Sequence, residues 1–284
     1  MDHRLPLYRV VLYSLSFTVS YVGVLYLSKT ARPSRGRGRD DLEVLKARML
    51  TVSVLTLVLV FAVVPAILIW ENIYHNYYYA WLSLHIKPGI YQTIIDPLQC
   101  LLVTATLYSG PLIKYVVFEH NLKWKQIFND IKSGIKDIYG VRNYLVGPLT
   151  EELVFRACIL AIHLASHVSR FTLIYVTPLY FGIAHLHHAY ENYIHDMNPQ
   201  VVIFTALFQF SFTTLFGWFA SYIYLRTGSV WSPLAVHIFC NSLGLPEWSL
   251  DNARNTAVYR TLLVLGLICF SLLVPIIDSP NKIL

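Results

Sequence analysis

Long apolar stretches dominate the sequence and constrain its fold more than any other feature. A transmembrane helix needs about 20 predominantly apolar residues, and roughly eight stretches approach that length. Only 13% of the 284 residues are charged, whereas an average soluble domain is about 25% charged. We therefore expect an all-α polytopic membrane protein that forms a single membrane domain over residues 1–284. The predicted spans are 5–27, 48–70, 97–118, 145–165, 169–188, 200–225, 230–246 and 259–278.

Basic residues are concentrated in two predicted loops, which sets the expected orientation of the chain. Residues 29–48 and 123–142 carry most of the lysines and arginines, whereas the loop 71–96 contains only Lys87. Cytosolic loops of membrane proteins are enriched in these residues, so the first and third loops are expected to face the cytosol. This topology also accounts for the formal net charge of +6, and no nucleic-acid partner is predicted.

The segment 119–143 between the third and fourth predicted spans is mildly amphipathic. Its apolar residues Trp124, Ile127, Phe128 and Ile131 recur at helical spacing, and lysines occupy other positions. This pattern predicts a helix that lies at the membrane surface. A solvated connector between spans is the alternative.

Polar and ionisable residues interrupt three of the predicted spans. Ionisable groups are costly at membrane depth and usually mark functional sites. In the topology above they all fall in the cytosolic halves of their helices, so we expect one site in an intramembrane cavity open to the cytosol and the bilayer. The groups are Glu151, Glu152 and Arg156 in span four, His185, His187 and His188 in span five, and His237 and Asn241 in span seven.

The spacing in "EELVFR" distinguishes the two glutamates. Glu152 and Arg156 are four residues apart and share one helix face, where their charges can offset each other. Glu151 is rotated by about 100° on the helix and can face the cavity, where a partly desolvated carboxylate can act as a general base. The alternative is that both glutamates are members of a structural ion-pair network.

Histidine and asparagine side chains supply complementary groups. His185, with Phe181 one turn earlier on the same face, is the expected partner of Glu151 in holding and deprotonating a water molecule. His237 and Asn241 form one polar face whose N–H groups can stabilise an oxyanion. Hydrogen bonding between helices is the alternative for these histidines and the asparagine.

Other chemistries have weaker support in the sequence. Glu151, His185 and His237 can ligate zinc in principle, but the chain contains neither an HExxH motif nor the GxSxG motif of serine hydrolases. The four cysteines lie in or beside apolar stretches without CxxC spacing, which is typical of small buried side chains. We therefore predict no metal and no cofactor.

Three short motifs occur in order along these helices and together resemble one known family. The longer stretches "RNYLVGPLTEELVFRA" and "FGIAHLHHAYE" resemble the type II CAAX prenyl endopeptidases, the eukaryotic branch of the CAAX protease and bacteriocin-processing family of intramembrane glutamate proteases. The matching stretches cover 140–245, the predicted catalytic core helices. The motifs are EExxxR at Glu151, Glu152 and Arg156, FxxxH at Phe181 and His185, and HxxxN at His237 and Asn241.

The resemblance implies an eight-span fold in the endoplasmic reticulum membrane, with the active site facing the cytosol. It implies a metal-independent endopeptidase that removes the last three residues of prenylated CAAX proteins, with partners such as Ras-type GTPases and lipopeptide pheromone precursors. The implied roles are general base for Glu151, its partner for His185, oxyanion stabilisation for His237 and Asn241, and support for Glu152, Arg156 and Phe181.

Three other functions stay open at this point. They are a non-catalytic multi-pass binding or immunity-type protein, a transporter with a proton relay, and a zinc-dependent membrane protease. A transporter is expected to show paired broken helices, whereas only "YSGPLIKY" and Pro178 offer breaks. His187 and His188 belong to a histidine-rich loop, 187–199, that is expected to line the mouth of the cavity.

Overall fold

The computed structural model of the protein describes residues 4–34, 36–87, 89–247, 250 and 253–283. Within these ranges the regular elements are helices, and no β-strand is present. The prediction of an all-α protein is confirmed. Arg35, one of the basic residues in the first predicted loop, lies outside the described residues.

The helices are numbered here in chain order. Helix α2 begins six residues before the predicted start because Asp41 caps it, with Oδ1 accepting from the backbone N–H groups of Glu43 and Val44. The helices are α1 (Leu7–Leu27), α2 (Leu42–Trp70), α3 (Tyr77–Leu82), α4 (Tyr91–Leu107), α5 (Ser109–Glu119), α6 (Trp124–Lys136), α7 (138–164), α8 (Pro178–Ala184), α9 (His187–Ile194), α10 (Pro199–Thr227), α11 (Trp231–Leu243) and α12 (Ala253–Leu273). Two short segments carry no number: the π-helical turn Thr172–Val176 before α8 and the 3₁₀ turn Val274–Ile276 after α12.

Four helices in the described residues are long and apolar enough to cross a membrane: Leu7–Leu27, Leu42–Trp70, Pro199–Thr227 and Asn255–Ile276. Helices α4 and α5 are bent by 85° at their junction and would make a fifth span if the pair is counted as one. The protein is therefore a multi-pass membrane protein. The prediction of about eight spans is not confirmed.

The predicted spans 145–165, 169–188 and 230–246 do not form helices that are both long and apolar enough to cross a membrane. Helix α11 has 13 residues, which is about 20 Å of helix at 1.5 Å per residue, against a hydrocarbon core of about 30 Å. The predicted span 169–188 divides, because α8 ends at Ala184 and α9 begins at His187. His187 and His188 thus begin a helix. The predicted loop 187–199 is wrong over His187–Ile194, which form α9, and at Pro199, which begins α10. Helix α7 is long, but it carries the charged residues of the EExxxR motif.

The chain divides into two compact units. The first contains the described residues up to Lys87 together with Leu149–Tyr224, and the second contains those from 89 to Pro148 together with Leu225–Ile283. In the first unit, α1 packs on α2, on α8 and on the last turns of α7. In the second, α11 packs on α4, and α12 packs on α4 and α5. The single-domain prediction for residues 1–284 stays a prediction.

Apolar side chains remain exposed along the membrane-crossing helices. In Asn255–Ile276 only 11% of the most apolar window is buried within the protein, and such a surface is unfavourable in water but not against lipid tails. The amphipathic segment forms α6, where Trp124 and Phe128 are both 65% exposed. The helix is confirmed, and its place at the membrane surface stays a prediction. Among the cysteines, Cys100 and Cys158 are buried as expected, whereas Cys269 is exposed.

Candidate active site

Helix α7 carries the EExxxR motif at a change of helical form. Glu151 is half-buried and ends the α-helical turn Gly147–Glu151, and the wider π-helical turn Glu152–Cys158 follows directly. The turn before it is anchored, because Tyr21 Oη and Thr150 Oγ1 are hydrogen-bonded at 2.9 Å. π-Helical turns inside longer helices are rare and frequently occur at functional sites. Both glutamates lie at this junction, but π-helical turns also occur elsewhere in the described chain, for example at Leu59–Val63 and Lys114–Glu119, so the turn alone does not mark the site.

Glu152 and Arg156 form the ion pair that their spacing predicts. Glu152 Oε1 lies 3.2 Å from Arg156 Nη1, and the two side chains are 0% and 1% exposed. Within the described part of the chain, neither Nη atom of Arg156 makes a well-aligned hydrogen bond. A buried ion pair needs further favourable contacts to offset the desolvation of its two charges. For the two Nη atoms of Arg156, these contacts within the described residues are not hydrogen bonds.

Two aromatic rings supply those contacts. The Cζ atom of Arg156 lies 4.5 Å from the ring centroid of Phe181 and 5.6 Å from that of Phe216. A guanidinium over an aromatic face gains about 0.5–2 kcal/mol, with the larger value applying when it is desolvated. Phe181 of the FxxxH motif is thus part of the same group as the EExxxR residues, and Phe216 of α10 completes it.

Gly217 allows α10 to approach this group. A Cβ atom at position 217 would lie 2.7 Å from Pro178 Cβ and 3.5 Å from Arg156 Nη2. The first distance is shorter than a carbon–carbon contact tolerates, so the close approach requires glycine. Neither Phe216 nor Gly217 was among the residues predicted from the sequence. The available signal was a small residue inside an apolar helix, which often marks close helix packing in membranes.

His185 follows α8 and is oriented by the helix. Its Nδ1 lies 2.8 Å from the carbonyl oxygen of Phe181, and its ring centroid lies 4.5 Å from the Phe181 ring. Because a carbonyl oxygen only accepts, the bonded Nδ1 carries the proton, and Nε2 of the neutral ring is the basic nitrogen. Phe181 therefore contacts both Arg156 and His185, and it joins two of the three motifs within the first unit.

The third motif lies on α11, in the second unit. His237 is 5% exposed, and Asn241, one turn later, is exposed. Asn241 Nδ2 donates to the carbonyl oxygen of Asn143 at 3.0 Å. An amide NH₂ has two donors, and this bond uses one of them to fix the side chain. Asn143 was likewise not among the site residues predicted from the sequence.

Comparison with known proteins assigns the family. The profile of the family described as "Type II CAAX prenyl endopeptidase Rce1-like" matches residues 138–243, which include every motif residue above. The chain is 35% identical to the "Probable CAAX prenyl protease 2" of Schizosaccharomyces pombe, over 96% of the chain and 95% of that protein. No solved structure matches the chain.

Two more relatives carry the name "CAAX prenyl protease 2". The protein of Saccharomyces cerevisiae is 30% identical, over 89% of the chain and 91% of the relative. The human protein is 33% identical, over 82% of the chain and 69% of the relative. The helical fold and the matches together define a multi-pass membrane hydrolase. The chain belongs to the type II CAAX prenyl endopeptidase family, and the predicted family and enzyme class are confirmed.

Proposed function

We propose that the chain removes the C-terminal tripeptide from prenylated CAAX proteins, and that Glu151 activates the attacking water. The observation that supports this most directly is the half-buried Glu151 beside the buried Glu152–Arg156 ion pair. Both lie in the segment 138–243 that matches the family. A carboxylate that is partly withdrawn from water and beside fixed charges is suited to general-base catalysis.

Each motif residue has a proposed role in one hydrolytic cycle. Glu151 takes a proton from a water held with the help of His185 while the water oxygen attacks the scissile carbonyl carbon. N–H donors of His237 and Asn241 stabilise the oxyanion that forms. When the C–N bond breaks, the proton passes from Glu151 to the leaving amine and the carboxylate is restored. Glu152, Arg156 and Phe181 hold the base-bearing helix in place.

The proposed substrates are lipid-modified protein tails, such as those of Ras-type GTPases or lipopeptide pheromone precursors. Such a tail has its prenyl chain in the bilayer and its peptide near the surface, which suits a protease built from membrane-crossing helices. From the family resemblance we place the enzyme in the endoplasmic reticulum membrane. We orient its active site toward the cytosol, because the basic segments 29–48 and 123–142 favour the cytosolic side.

A cleavage assay on a farnesylated CAAX peptide tests this proposal. The wild-type protein in proteoliposomes should release a tripeptide, and Glu151→Ala should lower kcat by about 10²–10⁴-fold, the usual contribution of a general base. Glu43→Ala is the matched control, because the Glu43 side chain is 79% exposed. Full activity of Glu151→Ala would contradict the assigned base. Absence of tripeptide release by the wild type would contradict the substrate class.

A strong chelator separates the proposed chemistry from a zinc protease. Hydrolysis driven by a glutamate-activated water should continue after the chelator has been added and removed by dialysis. Loss of activity that returns on addition of Zn²⁺ would support the zinc-dependent alternative instead.

A further inference from the structure

Three potential metal ligands lie together on α9, outside the residues with proposed catalytic roles. His187, His188 and Glu191 each offer a ligand atom, and these atoms all lie within 4.8 Å of one another. Glu191 is three residues after His188 and four after His187, so the side chains meet on one helix face. Two imidazoles and a carboxylate are a common donor set for zinc and related ions.

His187 is oriented as metal-binding histidines usually are. Its Nδ1 lies 2.6 Å from the carbonyl oxygen of Ala184. The carbonyl only accepts, so Nδ1 carries the proton and Nε2 keeps its lone pair. A histidine ligand typically donates its second N–H to a backbone carbonyl or carboxylate, which fixes the tautomer and the ring plane. His187 has this arrangement within the protein itself.

His188 and Glu191 present two acceptors to each other. His188 Nδ1 lies 3.3 Å from Arg39 Nη1 and 3.3 Å from Glu191 Oε2. Arginine only donates, so a hydrogen bond from Arg39 leaves Nδ1 without a proton to share with the carboxylate. Two ligands on a tetrahedral zinc ion, each about 2.0–2.1 Å from the metal, are separated by about 3.3 Å. The spacing of Nδ1 and Oε2 therefore suits a bridging cation.

The other oxygen of Glu191 is held by a second arginine. Arg48 Nη2 donates to Glu191 Oε1 at 2.7 Å, and the Glu191 side chain is 6% exposed. Arg48 is itself fixed, because Nε donates to the carbonyl oxygen of Ala31 at 2.9 Å. The ion pair with Arg48 accounts for the burial of Glu191. The ion pair does not explain why the imidazoles of His187 and His188 lie close to the same carboxylate.

We propose that His187 Nε2, His188 Nδ1 and Glu191 Oε2 bind a divalent transition-metal ion such as Zn²⁺, with water in the remaining position. Binding displaces Arg39 from His188, which is accessible to exchange because the Arg39 side chain is 53% exposed. Arg48 stays on Oε1 and orients the carboxylate from outside the ligand shell. The ion would thereby fix α9 to the end of α8. The proposal is independent of the hydrolytic chemistry above.

Metal binding by the full-length protein tests the proposal. After removal of any purification tag, the protein in detergent is titrated with Co²⁺, whose visible absorption reports its ligands, and with Zn²⁺ in competition. We expect one equivalent to bind. His187→Ala and Glu191→Gln should each weaken binding about tenfold or more. His75→Ala is the control and should bind as the wild type does, because His75 is exposed and lies outside the cluster.

Two outcomes would overturn the proposal. One is a wild-type protein that binds no Co²⁺ or Zn²⁺ in the micromolar range, and the other is unchanged binding in both variants. Circular dichroism checks that each variant is folded. If either variant is unfolded, X-ray absorption of the wild-type protein with Zn²⁺ decides: a shell with two imidazoles supports the site, and a thiolate or all-oxygen shell contradicts it.

Discussion

Two buried arginine–glutamate pairs in the first unit are built in opposite ways. Arg48 and Glu191 approach to 2.7 Å, Arg48 donates a further hydrogen bond to the Ala31 carbonyl, and His188 Nδ1 lies 3.3 Å from Glu191 Oε2. Arg156 and Glu152 are more deeply buried, yet their closest approach is 3.2 Å. Aromatic rings flank the Arg156 guanidinium, and neither Nη atom makes a well-aligned hydrogen bond to a described residue.

The difference indicates different purposes. The Arg48–Glu191 pair joins segments 143 residues apart in sequence, so it contributes to tertiary structure. The Arg156–Glu152 pair lies within one helix and joins no distant segments. A buried arginine with poorly used donors is costly and calls for an explanation. The Arg156 guanidinium is instead packed against two aromatic rings, whereas Arg48 uses its donors in hydrogen bonds to Glu191 and Ala31.

Replacing the glutamate of each pair by glutamine should give the largest difference in stability between the two pairs. Glu152→Gln leaves the Arg156 charge buried without its ion-pair partner, and we expect a loss of about 3–5 kcal/mol in the free energy of unfolding. Glu191→Gln leaves Arg48 bonded to Ala31 and should cost about 1–3 kcal/mol. Thermal unfolding in one detergent measures both. Equal losses, or a larger loss for Glu191→Gln, would refute the contrast.

Replacing each arginine by lysine tests the aromatic contacts. A lysine ammonium is compact and lacks the flat face that Phe181 and Phe216 contact in Arg156. From a cation–π contribution of about 0.5–2 kcal/mol, Arg156→Lys should lower kcat/KM by about tenfold. Arg48→Lys loses the Nε–Ala31 bond, and its effect should appear chiefly in the melting temperature. A melting-temperature effect alone from Arg156→Lys would contradict a role in catalysis.

Adding one methyl group tests the approach of α10 to the aromatic group. Gly217→Ala brings its Cβ to 2.7 Å from Pro178, and such overpacking costs about 1–3 kcal/mol. Gly38→Ala is the matched control in the same unit, because its Cβ would meet only His195 Nε2 at 3.9 Å. The melting temperature and kcat/KM should both be lower for Gly217→Ala than for the wild type. Unchanged values would show that α10 can move away freely.

The ion pair between His120 and Asp130 should have the smallest effect on stability. His120 Nε2 lies 2.7 Å from Asp130 Oδ2. The hydrogen bond with Asp130, followed by that to the Tyr115 carbonyl, raises the pKa of His120 above its usual 6.5. Its stabilising contribution is thus complete below pH 6.5 and lost as pH rises through the higher folded pKa. NMR titration should show the raised value, and Asp130→Asn should return it toward 6.5.

The sequence predicts those features that depend on residues close together in the chain. Helical spacing predicts the Glu152–Arg156 pair, and apolar length predicts the four helices that can cross a membrane. Partners distant in sequence leave no such pattern. Phe216 contacts Arg156 from another helix, and Arg48 contacts Glu191 across 143 residues. The ends of α8 and α11 were also missed, because continuous hydrophobicity does not reveal where a helix stops inside a membrane protein.

Helix α2 indicates the thickness of its membrane. Its 29 residues would span about 44 Å, well beyond a hydrocarbon core of about 30 Å. Arg48, near the beginning, and Trp70, which ends the helix and is 81% exposed, are residue types that settle at membrane interfaces. The part between them is about 34 Å long, so a modest tilt matches it to the core. Arg48 would then lie at headgroup level, and thinner bilayers should increase the tilt.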